Sequence, residues 1–373
     1  MKLLIHEIAK ECGVSAMTVS RALDTTRAHL VSEEKRRRIR AFCEKQHYEP
    51  NYSARTLASG KTYSIGLVQP WIQSISRSRT YGWMIQYLVE ECRKFDYIIS
   101  LLPVEADDKE SIDREIVKIF RTGRVDGFIS MAEFIGKQAL DEMADRQFPI
   151  VTFNMPSDVV QQIEDPRRVY INSRPAVEAL FRHLRQQGHS RIAYIGGHHL
   201  EKTRNLLYCE YLTDDADGLI LEYPQYLGNR GALNSYRLVF DQWKKLKNYS
   251  AITCFNDECA FGVCAALRDK GLVPGRDVAV TGFDDLENGQ ENAFLTTIHP
   301  SFVEAAENCV RCLMRQIRRE NLGSIQAVEV KNHLVIRASS DFRHEPREQK
   351  AEASSAGSVW NTSREGDSVI KEK

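Results

Sequence analysis

The chain has 373 residues, 42% apolar and 27% charged, a balance suited to two or three soluble folded domains. No apolar run reaches the roughly 18–20 residues that a membrane-spanning helix needs. Glu7 also interrupts the N-terminal stretch where a secretory segment would stay apolar, so the expectation is a cytoplasmic protein. Formal net charge is zero, yet residues 1–60 carry a net +4 and the remainder −4. A basic head on an acidic body confines any meeting with a polyanion to the head.

Ile5, Ile8, Ala9 and Cys12 recur at helical spacing and predict a first helix, stopped by Gly13, which can take φ > 0. Ser15 is a good N-cap for a second helix in which Val19, Ala22 and Leu23 face inward. A third helix, SEEKRRRIRAFCEKQHY, starts at Ser32 with acids in its first turn, where the helix dipole favours them. Two short helices joined by a glycine turn fit a helix-turn-helix, though small helical hairpins without a DNA role share the pattern. Pro50 ends this bundle; Asn51 can cap a short helix over Tyr52–Ala58, closed by Gly60. A helix that short is not stable alone in water, so something outside it must hold it.

From Thr62 onward SIGLV, YIISLL, GFIS, IVTF, RVYI, RIAYIG, AITCF and VAVTGF alternate with helical stretches. That alternation predicts mostly parallel sheet flanked by helices, with ligands held beyond the carboxyl ends of the strands. Gln69, Trp71, Asn154, His198, Asn256, Asp257, Asp284 and Asp285 stand just past such ends and suggest one polar crevice. Each could instead cap a following helix, the expected role of Asp257 and Asp285. Of the nine cysteines, Cys309 and Cys312 have CxxC spacing inside a helical run with no second pair, which favours core packing over a metal. His198 and His199 are adjacent, so on a strand they point to opposite faces and chelate poorly. No GxSxG elbow, P-loop or HExxH is present, so the expectation is a binding protein without catalytic residues, cofactor or metal.

The run from IHEIAKECGVSAMTVSRAL through HYEPNYSARTLASGKTYSIGLV resembles the lactose-repressor/galactose-repressor family of bacterial regulators. RVDGFI, GHSRIAYIGG, FNDECAFG, VAVTGFDD and LTTI then follow in that family's order, and the likeness continues to HLVIRASS. The resemblance implies an α-helical helix-turn-helix head plus an α/β two-lobed periplasmic-binding-protein-like domain with parallel sheets. It places Ser15, Ala16, Met17, Thr18, Ser20 and Arg21 on the recognition helix, with Arg21 as the best base reader. It also places Asn51, Ala54, Arg55 and Leu57 on a hinge helix that orders on DNA, with Leu57 wedged into the minor groove at the centre of a palindrome. Arg204 and Asp284 match effector-binding positions, and Ser301 falls where relatives carry a polar pocket residue. Trp71, Tyr81 and Phe283 would lend apolar faces to a sugar ring, beside Asn154 and Asn256.

The expected organisation is a head over 1–50, a hinge helix over 51–60 and an effector-binding and dimerisation domain over 61–340. Its N-lobe takes about 61–165 and 296–325, its C-lobe about 166–295 and 326–340, and 341–373 reads as a disordered polar tail. Partners implied by the resemblance are a palindromic double-stranded operator, a carbohydrate-like effector and a second copy of the chain. Several residues depart from the family pattern: Asn172-Ser173, Ala176, Leu207 and the basic Arg77 and Arg79. They leave room for an anionic or phosphorylated effector. A solute-binding transport component and a sugar-modifying enzyme on the same fold are the rival readings.

Overall fold

A computed structural model describes residues 3–23, 28–49, 52–68, 79–102, 109–131, 135–153, 167–197, 202–213, 218–223, 231–320 and 327–341. The head holds α1 (Ile5–Glu11), α2 (Ala16–Leu23) and α3 (Glu33–Lys45), and α4 (Tyr52–Ser59) follows it. Ile8, Val19, Ala22, Ile39 and Cys43 meet in the head's core. Gly13 sits at φ +56, the left-handed turn that lets α1 stop and α2 leave at an angle.

Next come β1 (Ser64–Val68), α5 (Arg79–Arg93), β2 (Ile98–Leu102), α6 (Lys109–Arg121), β3 (Gly127–Met131), α7 (Lys137–Asp145), β4 (Ile150–Phe153), β5 (Arg168–Asn172) and α8 (Arg174–Gln186). They are followed by β6 (Ile192–Gly197), α9 (Lys202–Thr213), β7 (Leu219–Tyr223), α10 (Gly231–Asp241), α11 (Trp243–Leu246), β8 (Ala251–Cys254), α12 (Asp257–Asp269) and β9 (Ala279–Thr281). The last described elements are β10 (Thr297–His299), α13 (Phe302–Ile317), β11 (Val328–Lys331) and β12 (His333–Val335).

The chain divides into two compact units and changes unit after Ala176, Ile298 and His333, apart from a short return to the first unit over Glu201–Arg204. In the first, a parallel six-stranded sheet runs in the order β11-β5-β4-β3-β1-β2. Three of its four inner strands, β1, β3 and β4, are buried at every position, as expected of a sheet covered on both faces. One covering layer joins Met84, Leu88 and Cys92 of α5 to Cys309, Val310 and Leu313 of α13. The Gln316 carboxamide ties α13 to the sheet by accepting from Ile150 N–H and donating to Ile150 O, at 3.1 and 2.9 Å. The second unit is a four-stranded parallel sheet in the order β7-β6-β8-β9.

The expected lobe bounds need correcting. β5 and β11 fall in the ranges assigned to the C-lobe, yet both pair in the first sheet, with Val328 opposite Val169. Parallel pairing between segments this far apart leaves no local trace in the sequence. The strands β7, β10, β11 and β12 were not anticipated either. The tail beyond Asp341 lies outside the described residues.

Candidate nucleic-acid interface and solute loop

The head presents α2 rigidly because both ends of the turn before it are tied. The Ser15 hydroxyl accepts the Thr18 N–H at 3.1 Å and pairs with the Thr18 hydroxyl at 2.9 Å, acting as the expected N-cap. Arg38 donates to Cys12 O at 2.8 Å, which satisfies a carbonyl at the end of α1. With Val19 and Ala22 buried, α2 turns Met17, Ser20 and Arg21 outward, Met17 being 62% exposed. Ser15 is also exposed, while Thr18 is half-buried. Ala16 is half-buried too and packs against the head's core.

On α4, Leu57 stands 89% exposed, more than any other large hydrophobic side chain among the described residues. Arg55 turns the other way. Its guanidinium lies 3.7 Å from the centre of the Tyr63 ring, and Nη2 is 3.5 Å from Asp96 Oδ2. The connection from α4 into β1 is pinned by Asp126 of the RVDGFI motif. Its carboxylate accepts the Thr62 N–H, the Thr62 hydroxyl and the Tyr63 N–H at 2.7, 3.0 and 2.9 Å. Tyr63 and Asp96 have φ of 48 and 62, left-handed values that such a network of contacts must stabilise. Asn51 lies outside the described residues, as does the side chain of Ala54.

In the second unit, the loop between β9 and β10 carries Asp284, which is half-buried with φ 110, and Asp285, which is buried with φ 54. Two groups hold it. Asp257 accepts the Leu286 N–H at 2.7 Å and the Thr297 hydroxyl at 2.6 Å, and its own N–H donates to Phe283 O at 2.8 Å. Burial pushes the Asp257 carboxyl up to about 7; those two bonds pull it back, and the charges of Asp285 and Glu287 add to the rise. From the other side Arg337 donates to Asp285 Oδ1 at 2.6 Å and to Leu295 O at 2.8 Å. Glu287 accepts the N–H groups of Phe294 and Leu295 at 2.9 and 2.7 Å, closing the loop on itself.

This geometry corrects three expectations. Asn256, not Asp257, is the N-cap of α12, its side chain accepting from the Cys259 N–H at 2.9 Å. Asp285 caps no helix; it is the buried partner of Arg337. Phe283 is only 1% exposed, so its ring packs within protein and offers no open face. Asn256, Phe283 and Asp284 are thus brought together around the Asp257 loop. Elsewhere, Tyr81 is half-buried on α5 against the first unit's core, and Ser301 is half-buried just before α13, its carbonyl accepting the Ala305 N–H at 3.0 Å. Trp71, Asn154, Gln69, His198 and His199 lie outside the described residues, and so does the side chain of Arg204 within α9. Cys309 and Cys312 are buried in the core, and burial pushes both thiols up. Among the described residues no group of three or more His, Cys, Asp or Glu is placed to hold a metal ion, and no helix is long and apolar enough to cross a membrane. Sequence reasoning missed Tyr63, Asp96, Thr297 and Arg337, whose partners are brought to them by the fold.

Two family descriptions match the chain: bacterial regulatory proteins of the lacI family over residues 4–51, and the periplasmic binding protein-like domain over 181–340. The HTH-type transcriptional repressor PurR of Actinobacillus pleuropneumoniae serotype 3 (strain JL03) is 25% identical over 339 residues, covering 90% of this chain and 97% of the relative. Among solved structures, the Lac repressor dimer bound to operator and the anti-inducer ONPF superposes with a TM-score of 0.68 at 19% identity, covering 91% of this chain and 99% of the other. The complex of the regulator CelR with cellobiose superposes at 0.58 with 20% identity, covering 91% and 100%. These likenesses cover the helix-turn-helix head as well as the two-lobed body.

Proposed function

Because residues 4–51 match the lacI family of bacterial regulatory proteins, we propose that the chain is a cytoplasmic repressor that binds a palindromic operator as a homodimer, under the control of a small solute bound by its two-lobed body. The observation that carries the DNA reading is Leu57, 89% exposed on a short helix. An aliphatic side chain left in water suits a wedge that unstacks a base step in the minor groove. The outward Met17, Ser20 and Arg21 of α2 support the same reading. Arg21 can bond guanine O6 and N7 together, Ser20 can reach a phosphate, and Met17 can touch thymine methyls.

The solute is read as a carbohydrate. Asp284 is held in a strained turn by buried neighbours, and a fixed carboxylate accepts paired bonds from adjacent hydroxyls. Asn256 spends its carbonyl oxygen on the helix cap, so it has its two amide N–H groups to donate. The CelR structure, with cellobiose bound, is consistent with that ligand class. Arg204, Tyr81, Trp71, Asn154 and Ser301 complete the proposed solute site. The chain acts by binding and linkage, not by turnover: a solute that favours one state of the body shifts the affinity for DNA by the same coupling energy.

The test is fluorescence anisotropy with selected duplexes, with and without a panel of sugars. A preferred palindrome, bound with steep salt dependence and altered by one sugar, is expected. Asp284→Ala should abolish the sugar response and spare operator binding. Equal affinity for every duplex in all conditions would sink the regulator reading.

A further inference from the structure

Among the described residues, the guanidinium of Arg55 is the one expected DNA contact that turns toward the body. We propose that Arg55 is a positioning residue: seated on Tyr63 and Asp96, it fixes α4 to the first lobe and so presents Leu57 to DNA, without itself touching the duplex. This rests on the regulator reading given above.

The seat is built for that purpose. A planar guanidinium 3.7 Å above the Tyr63 ring makes a cation–π contact that the Asp96 carboxylate, 3.5 Å away, reinforces. Each member is itself held by the lobe. The Tyr63 N–H is taken by Asp126, and its carbonyl accepts the Ile98 N–H at 3.0 Å, which joins it to the start of β2. Its ring leans on Tyr97, with centroids 5.6 Å apart. Asp96 is the residue just before Tyr97 and takes a left-handed φ of 62. The entry to β1 and the turn into β2 therefore converge on one side chain of α4. A helix too short to be stable alone has an outside support here, on the lobe.

Charge makes the proposal testable, because the two roles predict opposite signs. Asp96→Asn removes a negative charge from the DNA-proximal end of the lobe, and Asn accepts a left-handed φ at least as well as Asp. If Arg55 contacts phosphate, this variant should bind the operator as well as or better than the wild type. If Arg55 is a positioning residue, Asp96→Asn should weaken operator binding by about 3- to 10-fold. Arg55→Lys keeps the charge but loses the planar stack, so it should weaken binding to a similar degree, and combining it with Asp96→Asn should add little.

Operator titrations across salt concentrations, on full-length protein with the thermal midpoint measured alongside, give the second readout. The slope of log K against log salt should stay at the wild-type value in Arg55→Gln, whereas loss of a phosphate contact would lower it by about 0.9. Unchanged or tighter binding by Asp96→Asn, or a reduced slope in Arg55→Gln, overturns the proposal while leaving the regulator reading intact. A wild-type protein with no duplex preference overturns both.

Discussion

Arg337 and Asp285, 52 residues apart in sequence, form a 2.6 Å ion pair whose side chains are 14% and 3% exposed. The second nitrogen of the same guanidinium reaches Leu295 O, so one side chain clamps both limbs of the loop that carries Asp284. Removing one partner of a buried pair leaves the other charge unsolvated. Arg337→Met should therefore cost about 3–5 kcal/mol in urea unfolding, and adding Asp285→Asn should recover part of that loss.

Asp257 gives the second lobe a pH dependence of definite sign. Its ordinary value is 3.8 and its folded value about 7, so between these the folded chain holds a proton that the unfolded chain has released. Its contribution to stability falls as pH rises through that window and is flat above it. Asp257→Asn should flatten the dependence, so the difference in denaturation midpoint between wild type and variant should change between pH 5 and pH 8.

Gly262, on α12, sets two opposing effects against each other. Alanine is better than glycine in a helix by about 1 kcal/mol. Here, however, a Cβ would lie 2.0 Å from Ala232 O and 2.3 Å from Ser235 Oγ on α10, and backbone cannot step aside cheaply. The clash wins: Gly262→Ala should lower stability by about 1–3 kcal/mol, seen as a reduced thermal midpoint.

Leu57→Ala should separate stability from function. The side chain is almost wholly in water, so the unfolding midpoint should move by less than about 0.5 kcal/mol equivalent, while operator affinity falls at least tenfold. Equal losses in both would make Leu57 an ordinary packing residue.

The head was legible because its signals are local. Gly13 stops one helix and Ser15 starts the next within three residues, and the inward positions repeat with the helical period. Inner strands were legible as unbroken apolar runs. Two edge strands were not: β7 reads Leu-Ile-Leu-Glu-Tyr and β11 Val-Glu-Val-Lys, each with an exposed acid that breaks the run. Asp257 misled for a different reason. An Asn-Asp pair before a helix offers two good caps, and only the loop folding back onto Asp257 decides that Asn256 takes the role. Arg55 was read with its motif, whose spacing says nothing of Tyr63 or Asp96 beneath it.

The position of β11 reverses the order in which the chain can mature on a ribosome. Strands β6–β9 all lie between residues 192 and 281, so the second sheet has every strand it needs while translation is still under way. The first sheet, begun earlier, must wait with the flank of β5 unmatched and the greasy side of α5 bare until α13 and β11 emerge. The sheet begun first is thus completed last, and a nascent chain paused before residue 302 exposes the surfaces a chaperone would grip.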